Sequence, residues 1–102
     1  MPSEKRECCC HQKSTPRSEE LKSDVGRRIS RAIGQLNGIR QMVDDDRYCG
    51  DVLTQLAAVE SAVKAISRSV MRDHLETCVV ERVQRGDTEV VDEVMDLFKK
   101  FM

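Results

Sequence analysis

The chain has 102 residues, 34% of them charged, with a net charge of −1, two Phe, one Tyr and no Trp. That length is one small domain, and the near-neutral balance excludes binding of nucleic acid through bulk charge alone. There is no signal-peptide pattern and no apolar run of the roughly 18 residues a membrane span needs, which predicts a cytoplasmic protein without membrane contact.

Residues 1–17 are polar, carry Pro2 and Pro16 and show no apolar periodicity, so they are expected to form a disordered arm ahead of a helical domain at 18–102. The arm holds the run Cys8-Cys9-Cys10-His11. Those side chains could trap a soft metal, but adjacent thiols in a flexible segment define no geometry, and adventitious thiols are the plainer reading. With Cys49 and Cys78 the cysteines number five. An odd count in a cytoplasmic chain points to reduced thiols that bind metal or sense redox state.

The first helix is expected to start between Pro16 and Asp24, with Ser18 or Ser23 as its cap. Val25, Ile29, Ile33, Leu36, Ile39 and Val43 then recur at steps of three and four, an amphipathic stripe. Gly34 and Gly38 cost helix propensity, and close approach of a neighbouring backbone would explain them. Asp44, Asp45 and Asp46 sit badly at a helix C-terminus and well at the next N-terminus, so Asp45 or Asp46 is expected to cap a second helix.

That second helix is predicted from about Arg47 to about Gln84, stopped by Gly86. Val52, Leu56, Val59, Val63, Ile66 and Val70 form its seam. Near its end His74 and Cys78 are four apart and leave one face a turn apart. Cys49 stands at the other end. The 25 intervening steps of a continuous helix amount to about 37 Å, whereas a metal needs its ligands within about 2.0–2.3 Å. No Pro, and no Gly after Gly50, invites a break. If the three residues share one site, that site lies between subunits of an antiparallel dimer, and the two-fold axis makes two of them. Two thiolates and an imidazole suit Cu(I), or Zn(II) with a fourth ligand.

A third helix is expected after Asp87 or Thr88, with Val90, Val91, Val94, Leu97, Phe98 and Phe101 docking back near the end of the second. The fold class is all-α. A three-helix protomer this small buries little surface alone, so a homo-oligomer is expected.

The stretches Arg28-Ile29-Ser30-Arg31-Ala32-Ile33-Gly34-Gln35-Leu36-Asn37-Gly38-Ile39, Asp46-Arg47-Tyr48-Cys49-Gly50-Asp51-Val52-Leu53-Thr54-Gln55-Leu56-Ala57-Ala58-Val59 and Asp73-His74-Leu75-Glu76-Thr77-Cys78-Val79 closely resemble the copper-sensing repressor (CsoR) family of bacterial transcription regulators. The resemblance spans about residues 25–101. It implies antiparallel dimers that form four-helix bundles and assemble as a homotetramer. It also implies a metal-free state on operator DNA that Cu(I) releases, derepressing copper-efflux genes. Carried over by position, Cys49, His74 and Cys78 are the implied metal ligands. Tyr48 and Glu93 are the implied residues that orient His74 and link the site to the third helix. The Glu93 match needs a one-residue gap near Gly86, so Glu89 and Glu81 stay open. Arg28 matches a DNA-contact position of the family. The charge distribution adds Arg27, Arg31, Lys64 and Arg68 as candidate phosphate contacts.

The family's siblings sense nickel or cobalt with more nitrogen ligands, persulfide with two cysteines, or formaldehyde with an N-terminal proline. Cys78 argues against the first, His74 against the second, and the arm residues with Cys78 against the third. A copper buffer or chaperone without a DNA role is the rival from another class, favoured by Cys8–His11 and disfavoured by Arg27, Arg28 and Arg31. No Cys-x-x-Cys motif, acid/base pair or nucleotide loop marks an enzyme.

Overall fold

A computed structural model of the chain describes residues 15–100. The expectations for Pro2, for Cys8, Cys9, Cys10 and His11, and for Phe101 lie outside the described residues. Among the described residues there is no strand, and the all-α expectation holds. Helix α1 spans Glu19–Asp44 and α2 spans Cys49–His74. A π-helical turn, Leu75–Val79, continues α2 without a break into α3, Val80–Gln84. Helix α4 spans Val90–Lys99. The long second rod predicted to run to Gln84 is therefore present, with one local widening.

The caps explain the boundaries. Ser18 Oγ accepts the Leu21 N–H at 3.1 Å, which starts α1 where the sequence places it. At the other end the Asp46 N–H reaches the Val43 carbonyl at 3.1 Å and the Arg47 N–H reaches Met42 at 2.9 Å. These are the two bonds of a Schellman stop, with Asp46 left-handed at φ 56°. Asp45 and Asp46 thus terminate α1 rather than cap α2. The carboxylate of Asp45 accepts from Gln41 instead, and the Tyr48 carbonyl takes the first α2 bonds, from Asp51 and Val52. The same stop recurs after α3. Gly86 N–H bonds Val83 at 2.9 Å, Asp87 N–H bonds Arg82 at 2.8 Å, and Gly86 holds φ +88°. Asp87 Oδ1 then accepts the Glu89 N–H at 3.0 Å and tethers the entry to α4.

The described residues form two compact units, residues 18–69 and residues 15–17 with 70–100. In the first unit Ala32, Ile39 and Val59 are buried, while Ile29, Ile33, Leu36, Val43, Leu53, Leu56 and Val63 stay exposed. Both predicted stripes are helical faces, but one protomer covers only part of each. A Cβ added at Gly34 or Gly38 would meet nothing within 4 Å, so the close approach expected there does not occur within the protomer.

The second unit buries Met71, Cys78, Arg82, Val90 and Val94. Helix α4 docks against the π turn, as the short link predicts. Val90 is wholly buried, worth about 1.5–3 kcal/mol over an exposed valine. Val91, expected on that inner face, is exposed, because Val90 and Val94 set the angle of the helix and Val91 falls about 100° off it. Thr15 donates a hydrogen bond to the Glu81 carboxylate within this unit. No described helix is long and apolar enough to cross a membrane.

Candidate metal centre

Cys49 is the first residue of α2 and His74 the last. The Cys49 thiol is exposed; His74 is half-buried. Tyr48 precedes the helix with its ring laid over Gly50, where an added Cβ would collide with it, and is 74% exposed. Cys78 sits inside the π turn and is buried.

A side-chain bond accompanies the π turn. The Thr77 hydroxyl donates to the Asp73 carbonyl at 2.8 Å. A hydroxyl bonding four residues back competes for the carbonyl that an α-helix would offer to a backbone N–H, and it bends or loosens the turn. The same Thr77 oxygen lies 3.8 Å from Cys78 Sγ. Isolated π turns inside α-helices gather at functional sites, and this one contains Cys78 and directly follows His74.

The donor chemistry fits a soft ion: a buried thiol, an imidazole one turn before it, and a second, accessible thiol at the start of the same rod. Among the described residues, no group of three or more His, Cys, Asp or Glu stands ready to hold a metal ion. A helix of 26 residues is about 39 Å long, which explains why α2 does not bring its two ends together.

Glu93 lies on α4, and its partner is not one that sequence spacing predicts. Arg82 Nη1 meets Glu93 Oε1 at 2.7 Å and Nη2 meets Oε2 at 3.1 Å, a two-pronged pair. The same guanidinium holds Asp87 Oδ2, at 2.9 Å from Nε and 2.7 Å from Nη2. Arg82 is only 6% exposed. The Glu93 carboxylate, against the opposing effect of burial and with help from Asp87, raises the Arg82 pKa above its ordinary value. A group whose folded pKa is raised contributes stability that is full below its unfolded pKa, so Arg82 stays charged across the neutral range. Removing one member of such a buried pair costs about 3–5 kcal/mol. The cluster joins residues five and eleven apart across a loop, so helical spacing gives no sign of it. Of the other candidate glutamates, Glu81 pairs with Thr15 and the Glu89 N–H bonds Asp87.

The candidate phosphate contacts all lie in the unit of residues 18–69, and all are exposed. Arg27 and Arg28 share Asp24, at 2.9 and 3.0 Å. Arg31 follows Arg27 by one turn of α1, and Arg68 follows Lys64 by one turn of α2.

A family model described as metal-sensitive transcriptional repressor matches residues 21–100. The copper-sensing transcriptional repressor CsoR of Bacillus subtilis is 38% identical over 92 residues, 89% of this chain and 91% of that protein. The copper-sensing transcriptional repressor RicR of Mycobacterium tuberculosis is 40% identical over 67 residues, 66% of this chain and 70% of that one. Among solved structures, the copper-sensing repressor CsoR with Cu(I) from Geobacillus thermodenitrificans superposes with a TM-score of 0.80 at 32% identity, covering 87% of this chain and 94% of that chain. The nickel-responsive transcriptional regulator InrS superposes at 0.68 with 28% identity, covering 86% and 97%. With a repressor-family match over nearly all its helical residues and copper-sensing relatives that run almost its full length, the chain belongs to the CsoR family of metal-sensitive transcriptional repressors.

Proposed function

We propose that this protein is a Cu(I)-responsive repressor. Its metal-free homotetramer, a dimer of dimers, binds operator DNA. Cys49 of one protomer and His74 and Cys78 of another hold Cu(I) between subunits, and that capture releases the operator and derepresses copper-efflux genes. The observation that carries the reading is the placement of the three soft donors at opposite ends of one unbroken rod. An antiparallel neighbour lays the start of one rod beside the end of the other, and the uncovered apolar faces of α1 and α2 offer the surface for it.

Each side chain has a distinct part. The Cys49 and Cys78 thiolates and the His74 imidazole make a three-donor set that a soft ion accepts without a fourth ligand. Cu(I), once bound, supplies a crosslink between two rod ends. Tyr48, beside Cys49, and Glu93, on α4, orient the donors and relay the change. Arg27, Arg28, Arg31, Lys64 and Arg68 meet phosphates, with part of the sequence preference coming from DNA shape. Capture at His74 and Cys78 moves the end of the rod and α4, and the arginines lose their match to the phosphate spacing.

The likeness to a nickel-responsive regulator makes another metal the second reading. Two thiols and a single histidine among residues 15–100 favour Cu(I) over an ion that prefers nitrogen.

Mixed assemblies test the shared site. Cys49→Ala and His74→Ala each remove one donor from every site. Co-assembled as a heterodimer, they rebuild one intact site of the two, so Cu(I) capacity returns to half. A mixture that binds no more Cu(I) than either variant alone rejects the intersubunit arrangement. Operator titrations with and without Cu(I), run in both directions, must give one coupling factor. A shallow dependence of operator affinity on salt would favour a copper buffer instead.

A further inference from the structure

Arg82 is neither a proposed metal donor nor a proposed phosphate contact, yet among the described residues it is the one charged side chain that is buried. It follows Cys78 by four residues on the same continuous helix. Its guanidinium grips the loop through Asp87 and α4 through both oxygens of Glu93. Asp87 in turn tethers the start of α4 through the Glu89 N–H.

We infer that Arg82 is a positioning residue, the clasp that makes α4 move with the helix carrying Cys78. This rests on the reading of His74 and Cys78 as metal ligands. Helix α4 is held in two ways. The apolar contact made by Val90 and Val94 resists separation but tolerates sliding and rotation, because dispersion and burial carry no direction. The two-pronged Arg82–Glu93 pair fixes direction as well as distance. Without it α4 stays docked but no longer reports the angle of the helix beneath it.

That angle is set at the π turn. A π turn carries one residue more than the α-helical path, so tightening it to α geometry turns everything beyond it by about 100°. His74 and Cys78 bracket most of that turn, and Arg82 is just past it. A constraint on the ligand pair therefore reaches Arg82 as a rotation, and Arg82 passes it to Glu93. Glu93 cannot change partners or position without Arg82 yielding first.

The test uses the full-length protein and three variants, Arg82→Gln, Arg82→Lys and Glu93→Gln. Three quantities are read: Cu(I) affinity by chelator competition, operator affinity with and without Cu(I), and amide hydrogen exchange across residues 90–99. In the unmodified protein Cu(I) changes exchange in α4. In Arg82→Gln, Cu(I) affinity stays within about threefold while the coupling factor falls by about tenfold or more, and exchange in α4 no longer responds to Cu(I). Arg82→Lys keeps the charge but not the fork and falls between. A purely structural role would instead lower stability and leave the coupling of the folded fraction intact. A folded Arg82→Gln with unchanged coupling overturns the inference. Should that variant fail to fold, full coupling in both Arg82→Lys and Glu93→Gln overturns it equally. Failure of the underlying site reading looks different, since the unmodified protein would then take up no Cu(I) at Cys78, and the clasp would have nothing to relay.

Discussion

Cys49 and Cys78 are chemically identical and structurally opposite. One is exposed at the mouth of α2, the other is buried in the π turn beside Thr77. On the proposed reading, the exposed thiol suits capture of an incoming ion and the buried one suits retention. Cys49→Ala and His74→Ala are therefore expected to leave operator binding intact and to abolish release by Cu(I), measured by mobility shift under anaerobic conditions. A full copper response in either variant would reject the ligand assignment. Among the basic residues, Asp24 holds both Arg27 and Arg28 back with its carboxylate. Arg28→Ala is expected to weaken operator binding and to reduce the salt slope by about 1. Asp24→Asn should tighten binding, because it removes a negative charge beside two cations. Titration of operator against salt checks both. At this scale the sequence was informative where chemistry is local: the His74–Cys78 step of four and the charge of the first helix could be read directly. The partner of Glu93 could not, because Arg82, Asp87 and Glu93 meet only after a turn folds them together.

The helices were legible in their extent and less so in their ends. Ser18 and Gly86 announce a start and a stop by residue type alone, and both stand where expected. The three aspartates after Val43 misled, because a carboxylate suited to capping can equally occupy a left-handed stop. Asp46 does so at φ 56°, in a conformation that glycine adopts more readily. Asp46→Gly is thus expected to raise stability by up to about 1 kcal/mol, and Gly86→Ala, at φ +88°, to lower it by about 1–2 kcal/mol. Thermal unfolding followed by circular dichroism separates the two directions. The π turn was invisible to pattern reading, since no Gly or Pro marks it. Thr77 bonds back to Asp73 beside it, but Thr54 makes the same bond to Gly50 in regular α-helix, so that residue type does not announce a π turn.

Among the described residues, many large apolar side chains stay exposed. Ile29, Ile33, Leu36, Val43, Leu53, Leu56 and Val63 recur along α1 and α2 and remain exposed in the protomer. Scattered exposed apolar residues are ordinary, but a stripe that recurs at helical spacing along two long helices is the mark of a contact surface. Leu56→Glu is expected to break the proposed assembly in sedimentation and, with it, tight Cu(I) binding, while helix content stays near that of the parent. Retained high affinity in a monomer would mean that one chain completes the site by itself.

Tyr48 is the only tyrosine in a protein without tryptophan. It lies next to Cys49 and mostly in solvent. Ultraviolet emission excited beyond the absorption of phenylalanine therefore originates at a single ring, one residue from a proposed donor. The molecule carries its own optical gauge: emission should change with added Cu(I) until the sites are full, and Tyr48→Phe should silence it, so occupancy can be followed in solution with no label attached.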